Sequence, residues 1–221
     1  MRFVGLAAVT VLALCPLGCG SSKKSSSSTE QKPYTAAAAP TPAKDAAPWP
    51  APPNPLATTR AAGLVPERRE QLRYHVHAHL DVFVNGRPVR VPGGLGINVG
   101  DPGVHSGPDP TGSGTSYGGI QLCAKPCISP LHTHDATGVL HTESATVTPN
   151  RLGQLFTEWG VRLDRSCVGG YCAPKAPVAF FVDGKRYAAD PDAIGLADQR
   201  EIAIVIGSPP AQIPRGFPQQ G

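Results

Sequence analysis

The clearest pattern along the chain is an alternation of apolar and polar residues over positions 74–84. A period of two predicts a β-strand with one apolar face. The pair Asn85-Gly86 follows and favours a two-residue type I′ turn into a return strand at 87–91. A second hairpin of the same form is predicted for 178–189, around Asp183-Gly184.

The two predicted hairpins resemble each other in sequence. Residues 83–87 match 181–185, and 92–97 match 191–196 in the same order. Two ordered matches predict two related hairpin units, arising either from a duplication or from the same hairpin-to-loop geometry used twice.

One helix is predicted between the hairpins. Its start at Pro149, with Thr148 as the cap, suits helix initiation, and Gly160 suits termination. An apolar stripe at helical spacing would pack it on a sheet: Leu152, Leu155, Phe156 and Trp159. An almost continuously apolar strand is predicted for 201–206, in the centre of the sheet.

These elements predict the α+β class. The expected architecture is a mixed or antiparallel sheet of two related hairpin units with one main packing helix. A β-grasp-like arrangement is compatible with this pattern, and the strand order is left open.

Composition divides the chain into four parts. Residues 1–19 carry Arg2, an apolar run and a Pro-Leu-Gly-Cys ending, which predict a signal peptide with a lipobox-like end. Residues 20–69 predict a disordered tether rich in Ser, Pro and Ala. The His-rich α+β domain is expected at 70–209, and a flexible tail at 210–221.

This organisation predicts an exported protein. Lipidation of Cys19 would hold it at the outer face of the cell membrane, and without lipidation it would be secreted. The net charge of +4 comes with no basic stripe, so nucleic-acid binding has no support. Protein partners and oligomeric state are left open.

The four cysteines beyond the leader are interpreted as two disulfides. Local pairing, Cys123 with Cys127 and Cys167 with Cys172, is the simplest of three possible pairings. The rival interpretation is a four-cysteine zinc site. Export into an oxidising compartment and the unusual spacings disfavour it.

Six of the seven histidines lie in two short stretches. In the first, the alternation of a strand places His75, His77, His79 and Asp81 on one face. In the second, residues 132–143, a turn at 135–138 would pair His132 with His141. That register gathers four side chains on one face: His132, His134, His141 and Glu143.

Clustered neutral imidazoles are good ligands for zinc, copper, iron or nickel. Three successive strand histidines cannot all reach one ion without a bulge, so one of them is expected outside the coordination sphere. The predicted ligands are His77, His79, His132, His134 and His141. Three weaker candidates would be ligands or would orient an imidazole: His75, Glu143 and Asp135.

The predicted cofactor is a transition metal, with zinc slightly preferred over Cu(II). A Cu(I) site is disfavoured because the single methionine, Met1, lies in the leader and the cysteines are expected to be oxidised. The favoured function is metal binding or handling. A hydrolase or hydrating enzyme with a three-histidine, water-bearing site is the first alternative. A tethered structural or interaction module without metal is the second.

Three segments carry a resemblance to a known group of proteins. They are His-x-His-x-His-Leu-x-Val-Phe-Val-Asn-Gly at 75–86, His-Thr-His-Asp-x-x-Gly-x-x-His-x-Glu-Ser at 132–144 and Leu-Gly-Gln-x-Phe-x-x-Trp-Gly at 152–160. Over roughly 74–208 the chain resembles a group of exported or lipid-anchored bacterial and archaeal proteins. The resemblance implies the domain limits and export, and it implies no particular activity.

Overall fold

The computed structural model describes residues 41–112 and 114–218. Within them the helices are α1 (Pro55–Ala61) and α2 (Leu152–Trp159), and a 3-10 turn covers Pro191–Ala193. The first strands are β1 (Tyr74–Val84), β2 (Arg87–Val89), β3 (His105–Pro108), β4 (Thr115–Gly118), β5 (Leu131–His132) and β6 (Val139–Ser144). The remaining strands are β7 (Cys167–Val168), β8 (Tyr171–Cys172), β9 (Val178–Val182), β10 (Lys185–Tyr187) and β11 (Arg200–Ile206).

The main sheet has the order β10-β9-β11-β1-β6-β5, and β2 also pairs with β1. β1 and β11 are parallel and central, and every other pairing in this sheet is antiparallel. The α+β prediction of a mixed sheet with one main packing helix is confirmed. The β1–β2 and β9–β10 hairpins lie on either side of the parallel contact between β1 and β11, an order compatible with the β-grasp-like arrangement that the sequence left open.

The two hairpins have the same turn geometry. Asn85 and Gly86 both have positive φ angles, as do Asp183 and Gly184, so each pair forms the type I′ turn that its sequence favours. In the loops that follow, Leu95 and Ile97 occupy the places of Ile194 and Leu196, and all four side chains are buried. The structure therefore repeats the hairpin-to-loop geometry that the sequence matches indicate.

β1 divides the domain into two sides. Its even-numbered residues Ala78, Leu80 and Val82 are buried in the core. The stripe of α2 packs in the same core: Leu152, Leu155, Phe156 and Trp159. The odd-numbered residues of β1 lie on the opposite face, away from this core.

Helix α2 begins later than predicted. Its first residue is Leu152, and the backbone N–H of Arg151 donates to the Gln154 side chain at 3.0 Å. The predicted cap Thr148 instead donates its hydroxyl to the Thr146 carbonyl, in an exposed turn. The end at Gly160 is confirmed, because that residue has the left-handed conformation that glycine adopts without strain.

The prediction of a disordered tether is wrong for residues 41–69. Trp49 is 3% exposed, packs edge-on against Trp159, and accepts a hydrogen bond from the Trp159 indole at its carbonyl. α1 follows it and packs on α2. A large buried aromatic side chain offsets the ordering entropy that the surrounding Pro and Ala residues cannot. The predicted signal peptide and the first part of the tether lie outside the described residues.

The local disulfide pairing is confirmed. Cys123 is bonded to Cys127 and Cys167 to Cys172, the second pair linking β7 to β8. The first disulfide belongs to a small satellite core with Ile97, Ile120 and Ile128. All four described cysteines are thereby removed from the set of possible metal ligands.

One buried carboxyl group of α2 predicts a pH dependence of stability. Glu158 is fully buried beside the hydroxyls of Ser129 and Thr59, and burial raises its pKa to about 8. Between pH 4.5, its ordinary pKa, and pH 8, the folded state keeps a proton that the unfolded state has released. The free energy of unfolding therefore falls as the pH rises through this range, by on the order of 1 kcal/mol per pH unit.

The variant Glu158→Gln removes this titration and keeps the shape of the side chain. We expect it to match the wild-type protein near pH 4.5 and to exceed it in stability at pH 8. Urea unfolding at several pH values measures the difference. Parallel profiles for the two proteins would contradict the assignment.

Candidate metal centre

The candidate site lies on the face of β1 opposite the core. The N-terminal half of β1 pairs with β6, which places His77 opposite His141 and His75 opposite Glu143. β5 pairs with the other edge of β6 and places His132 opposite His141. Cross-strand partners of this kind present their side chains on one face, so three histidines form a row across three strands.

His134 joins this row from just beyond β5. Its carbonyl accepts a hydrogen bond from the backbone of Tyr117 in β4 at 2.9 Å. Its ring Nδ1 donates to the Tyr117 carbonyl. The hairpin formed by β3 and β4 therefore orients this side chain.

The tautomers of His132 and His134 are set by carbonyl groups. His132 Nδ1 donates to the Ser129 carbonyl at 2.9 Å, and His134 Nδ1 donates to Tyr117. A carbonyl oxygen only accepts, so each Nδ1 must carry the hydrogen and each neutral ring has its lone pair on Nε2. These two Nε2 atoms lie 3.3 Å apart.

Two facing lone pairs repel each other unless a cation, either a proton or a metal ion, lies between them. Zinc–nitrogen bonds of about 2.0–2.1 Å in tetrahedral geometry separate two ligand nitrogens by roughly 3.3–3.4 Å. The observed separation of 3.3 Å matches that value without any side-chain movement.

Glu143 and His141 complete a set of four donors. Glu143 is 3% exposed, and its Oε1 lies 3.6 Å from His132 Nε2 and 3.4 Å from His141 Nδ1. Its Oε2 is buried and has no hydrogen-bond partner among the described residues. One donor atom from each of these residues lies within 4.8 Å of the others: His132, His134, His141 and Glu143.

Burial keeps two of these imidazoles neutral. Desolvation lowers the pKa of His132 to about 3, against the opposing charge of Glu143. Desolvation, followed by the neighbouring His134, His77 and His75, lowers the pKa of His141 to about 2. Both rings therefore offer lone pairs at neutral pH, as a metal ligand must.

His75 and His77 form a second set with His141, again within 4.8 Å. His75 Nε2 lies 3.2 Å from Glu143 Oε1 and 3.5 Å from His141 Nδ1. His77 Nε2 is buried and has no hydrogen-bond partner among the described residues. Desolvation first, and then the adjacent His75, lowers the pKa of His77.

The structure separates His79 from the other predicted ligands. Its Nδ1 shares a hydrogen bond with Glu201 at 2.8 Å, and its Nε2 donates to the Thr137 carbonyl at 2.9 Å. Burial opposes protonation, but Glu201, the Thr137 carbonyl and Asp81 outweigh it and raise the pKa of His79. Both ring nitrogens of His79 are thus engaged in hydrogen bonds outside the cluster, so this side chain has no free donor atom for it.

Asp135 does not reach the cluster in its predicted role. Its carboxylate accepts hydrogen bonds from the backbone and hydroxyl of Thr137, two residues later. It therefore stabilises the turn between β5 and β6, and through that turn the placement of the histidines on both strands.

A cavity of about 580 Å³ opens beside the cluster. His77, His134 and His141 form part of its wall, so the donors face a space that a small molecule can enter. Pro218 lines the cavity and the Phe217 ring lies 6.2 Å from that of His79. Two residues of the predicted flexible tail, Phe217 and Pro218, therefore lie beside the cavity.

Three contributors to the site escaped sequence reasoning. Glu70 lies 3.9 Å from His134 Nε2, and burial, with the charge of Glu143, raises its pKa. The carbonyls of Ser129 and Tyr117 fix two imidazoles, and no sequence signal marks a backbone carbonyl for such a role.

Comparison of the chain with protein-family models, with curated proteins and with solved structures finds no match. Within residues 41–112 and 114–218, no helix has the length and apolar character needed to cross a membrane. The site itself consists of histidine and carboxylate groups that could hold a metal ion.

Proposed function

We propose that the protein is an exported, lipid-anchored metal-binding protein. It holds a transition-metal ion on His132, His134, His141 and Glu143. The observation that carries this proposal is the pair of Nε2 lone pairs of His132 and His134, held 3.3 Å apart by carbonyl groups on the far side of each ring. A metal-binding histidine usually donates its other ring N–H to a carbonyl or carboxylate group, and this hydrogen bond fixes its tautomer.

Zinc is the preferred ion, with Cu(II) next. Three borderline imidazoles and one carboxylate oxygen form a set that suits both ions. The described residues offer no soft sulfur ligand for Cu(I), because the four cysteines among them are in disulfides.

Export and anchoring are supported by different features of the chain. Two disulfides are typical of proteins in oxidising compartments. Residues 1–19 have the layout of a signal peptide ending at a lipobox-like cysteine. The resemblance of 75–86 and 132–144 to exported proteins agrees with this location.

The metal proposal predicts the behaviour of His134→Ala. We expect the full chain, purified without a histidine tag, to contain bound zinc, and the variant to lose affinity by more than about 100-fold. Orienting partners alone change metal affinity by about 10–100-fold, so loss of a ligand should exceed that. Elemental analysis and calorimetric titration with Zn²⁺ measure both quantities.

His105→Ala is the matched control, since it removes an exposed histidine of β3 that lies outside the cluster. It should retain wild-type zinc binding. A wild-type chain that binds no zinc or copper would favour the remaining alternative, a structural or interaction module without metal.

The anchoring proposal predicts that Cys19→Ala releases the protein from the membrane. Wild-type protein should fractionate with membranes, and its mature N-terminal peptide should carry acyl chains in mass spectra. Cys15→Ala, which changes the cysteine just after the apolar run, is the control and should leave fractionation unchanged. An unacylated Cys19 in the mature protein would refute the anchor.

A hydrolytic or hydrating activity is the second candidate, and the cavity favours it. An ion held by three or four protein donors beside a space of about 580 Å³ has room for an exchangeable ligand. A divalent ion with such an open position activates water.

An exchangeable position can be detected without knowing a substrate. We expect the visible spectrum of the Co²⁺-substituted protein to change when azide is added, because azide would enter the coordination sphere from the cavity. Thr137→Trp, at the cavity wall, should weaken this response while Co²⁺ remains bound. A spectrum unaffected by azide would identify a closed site and leave binding or handling as the function.

A further inference from the structure

The cluster contains more donors than one ion needs. Five imidazoles and one carboxylate come together, whereas structural and catalytic zinc sites use three or four protein ligands. The donors form two sets that overlap in one residue: His132, His134, His141 and Glu143 in the first, and His75, His77 and His141 in the second.

We propose that the site binds two metal ions, the second on His75, His77 and His141. This inference rests on the proposed function and deepens it. The first ion is then held by His132, His134 and Glu143, because the Nδ1 of His141 serves one ion at a time.

The carboxylate of Glu143 is placed to bridge the two ions. Its Oε1 lies 3.6 Å from His132 Nε2 in the first set and 3.2 Å from His75 Nε2 in the second. Its Oε2 has no hydrogen-bond partner among the described residues, so a second coordinating oxygen is available. Paired ions in protein sites lie about 3.5–4 Å apart, a span that a bridging carboxylate accommodates.

The second set contains its own unexplained donor. His77 Nε2 is buried yet makes no hydrogen bond within the described part of the chain. Its ring lies 4.5 Å from that of His75 and 4.4 Å from that of His141, measured between centroids. His75 Nε2 and His141 Nδ1 are 3.5 Å apart, close to the roughly 3.3–3.4 Å expected for two nitrogens on a tetrahedral zinc ion.

Acidic groups offset the charge of a second cation. Glu143 lies between the two sets, and Glu70 lies 3.9 Å from His134 in the first. Beside the second set, Asp198 accepts a hydrogen bond from the backbone N–H of His77 at 3.1 Å. Among the described residues, each set therefore has one carboxylate of its own nearby, and the two sets share a third.

The experiment counts ions in the full chain. Elemental analysis after equilibration with Zn²⁺ should give two ions per wild-type chain and one per His77→Ala or His75→Ala chain. His75→Ala is the variant with the smaller risk of misfolding, because the His75 side chain is 32% exposed at the edge of the cluster. His105→Ala is the matched control and should retain two.

Copper supplies an independent readout. Two Cu²⁺ ions about 3.5–4 Å apart couple magnetically, so the spin count by electron paramagnetic resonance should fall as the second equivalent is added. In His77→Ala the spin count should remain at one per bound copper.

The outcomes separate this inference from the proposal beneath it. One ion in both the wild-type and His77→Ala chains, lost in His134→Ala, would overturn the second site and leave the first intact. One ion in the wild-type chain and none in His77→Ala would show that all donors serve a single ion, which also overturns it. No ion in any of these chains would refute both proposals.

Discussion

The register of β1 is the constraint on which the rest of the structure depends. Ala78, Leu80 and Val82 are buried in the core with α2, and the alternating histidines of β1 face the other way. A slip of one residue would bury imidazoles in an apolar core and expose aliphatic side chains. Core packing on one face of β1 therefore fixes the direction of the imidazoles on the other face.

That arrangement has an electrostatic cost which a bound ion would offset. His132 is fully buried and uncharged, Glu143 is 3% exposed, and donor atoms of both point into the same small volume. Buried polar atoms that lack partners cost free energy on folding. A cation that binds only the folded state raises the free energy of unfolding by mass action and so offsets this cost. Metal binding and folding are therefore coupled.

Local patterns in the sequence were sufficient for part of this structure. The Asn85-Gly86 and Asp183-Gly184 turns, the pairing of His132 with His141 and the two short disulfides all follow from neighbours in the chain. Trp49 could not be placed in this way, because its partner Trp159 is 110 residues away. The orientation of His134 likewise depends on a carbonyl from another hairpin, 17 residues earlier.

His79 shows why the face of a strand does not by itself identify ligands. His75, His77 and His79 alternate along the same side of β1, as the sequence indicates. Toward its N-terminus β1 is paired with β6, which places Glu143 and His141 beside the first two. His79 also lies opposite Glu201 of the parallel strand β11, and their side chains are hydrogen-bonded to each other. Histidines on one face of a single strand can thus have different roles. The residues of the strand paired beside each histidine determine whether it faces the proposed metal site or a carboxyl group. β11 lies more than 100 residues after His79 in the chain. The role of His79 therefore depends on the topology of the sheet and cannot be inferred from the spacing of the histidines.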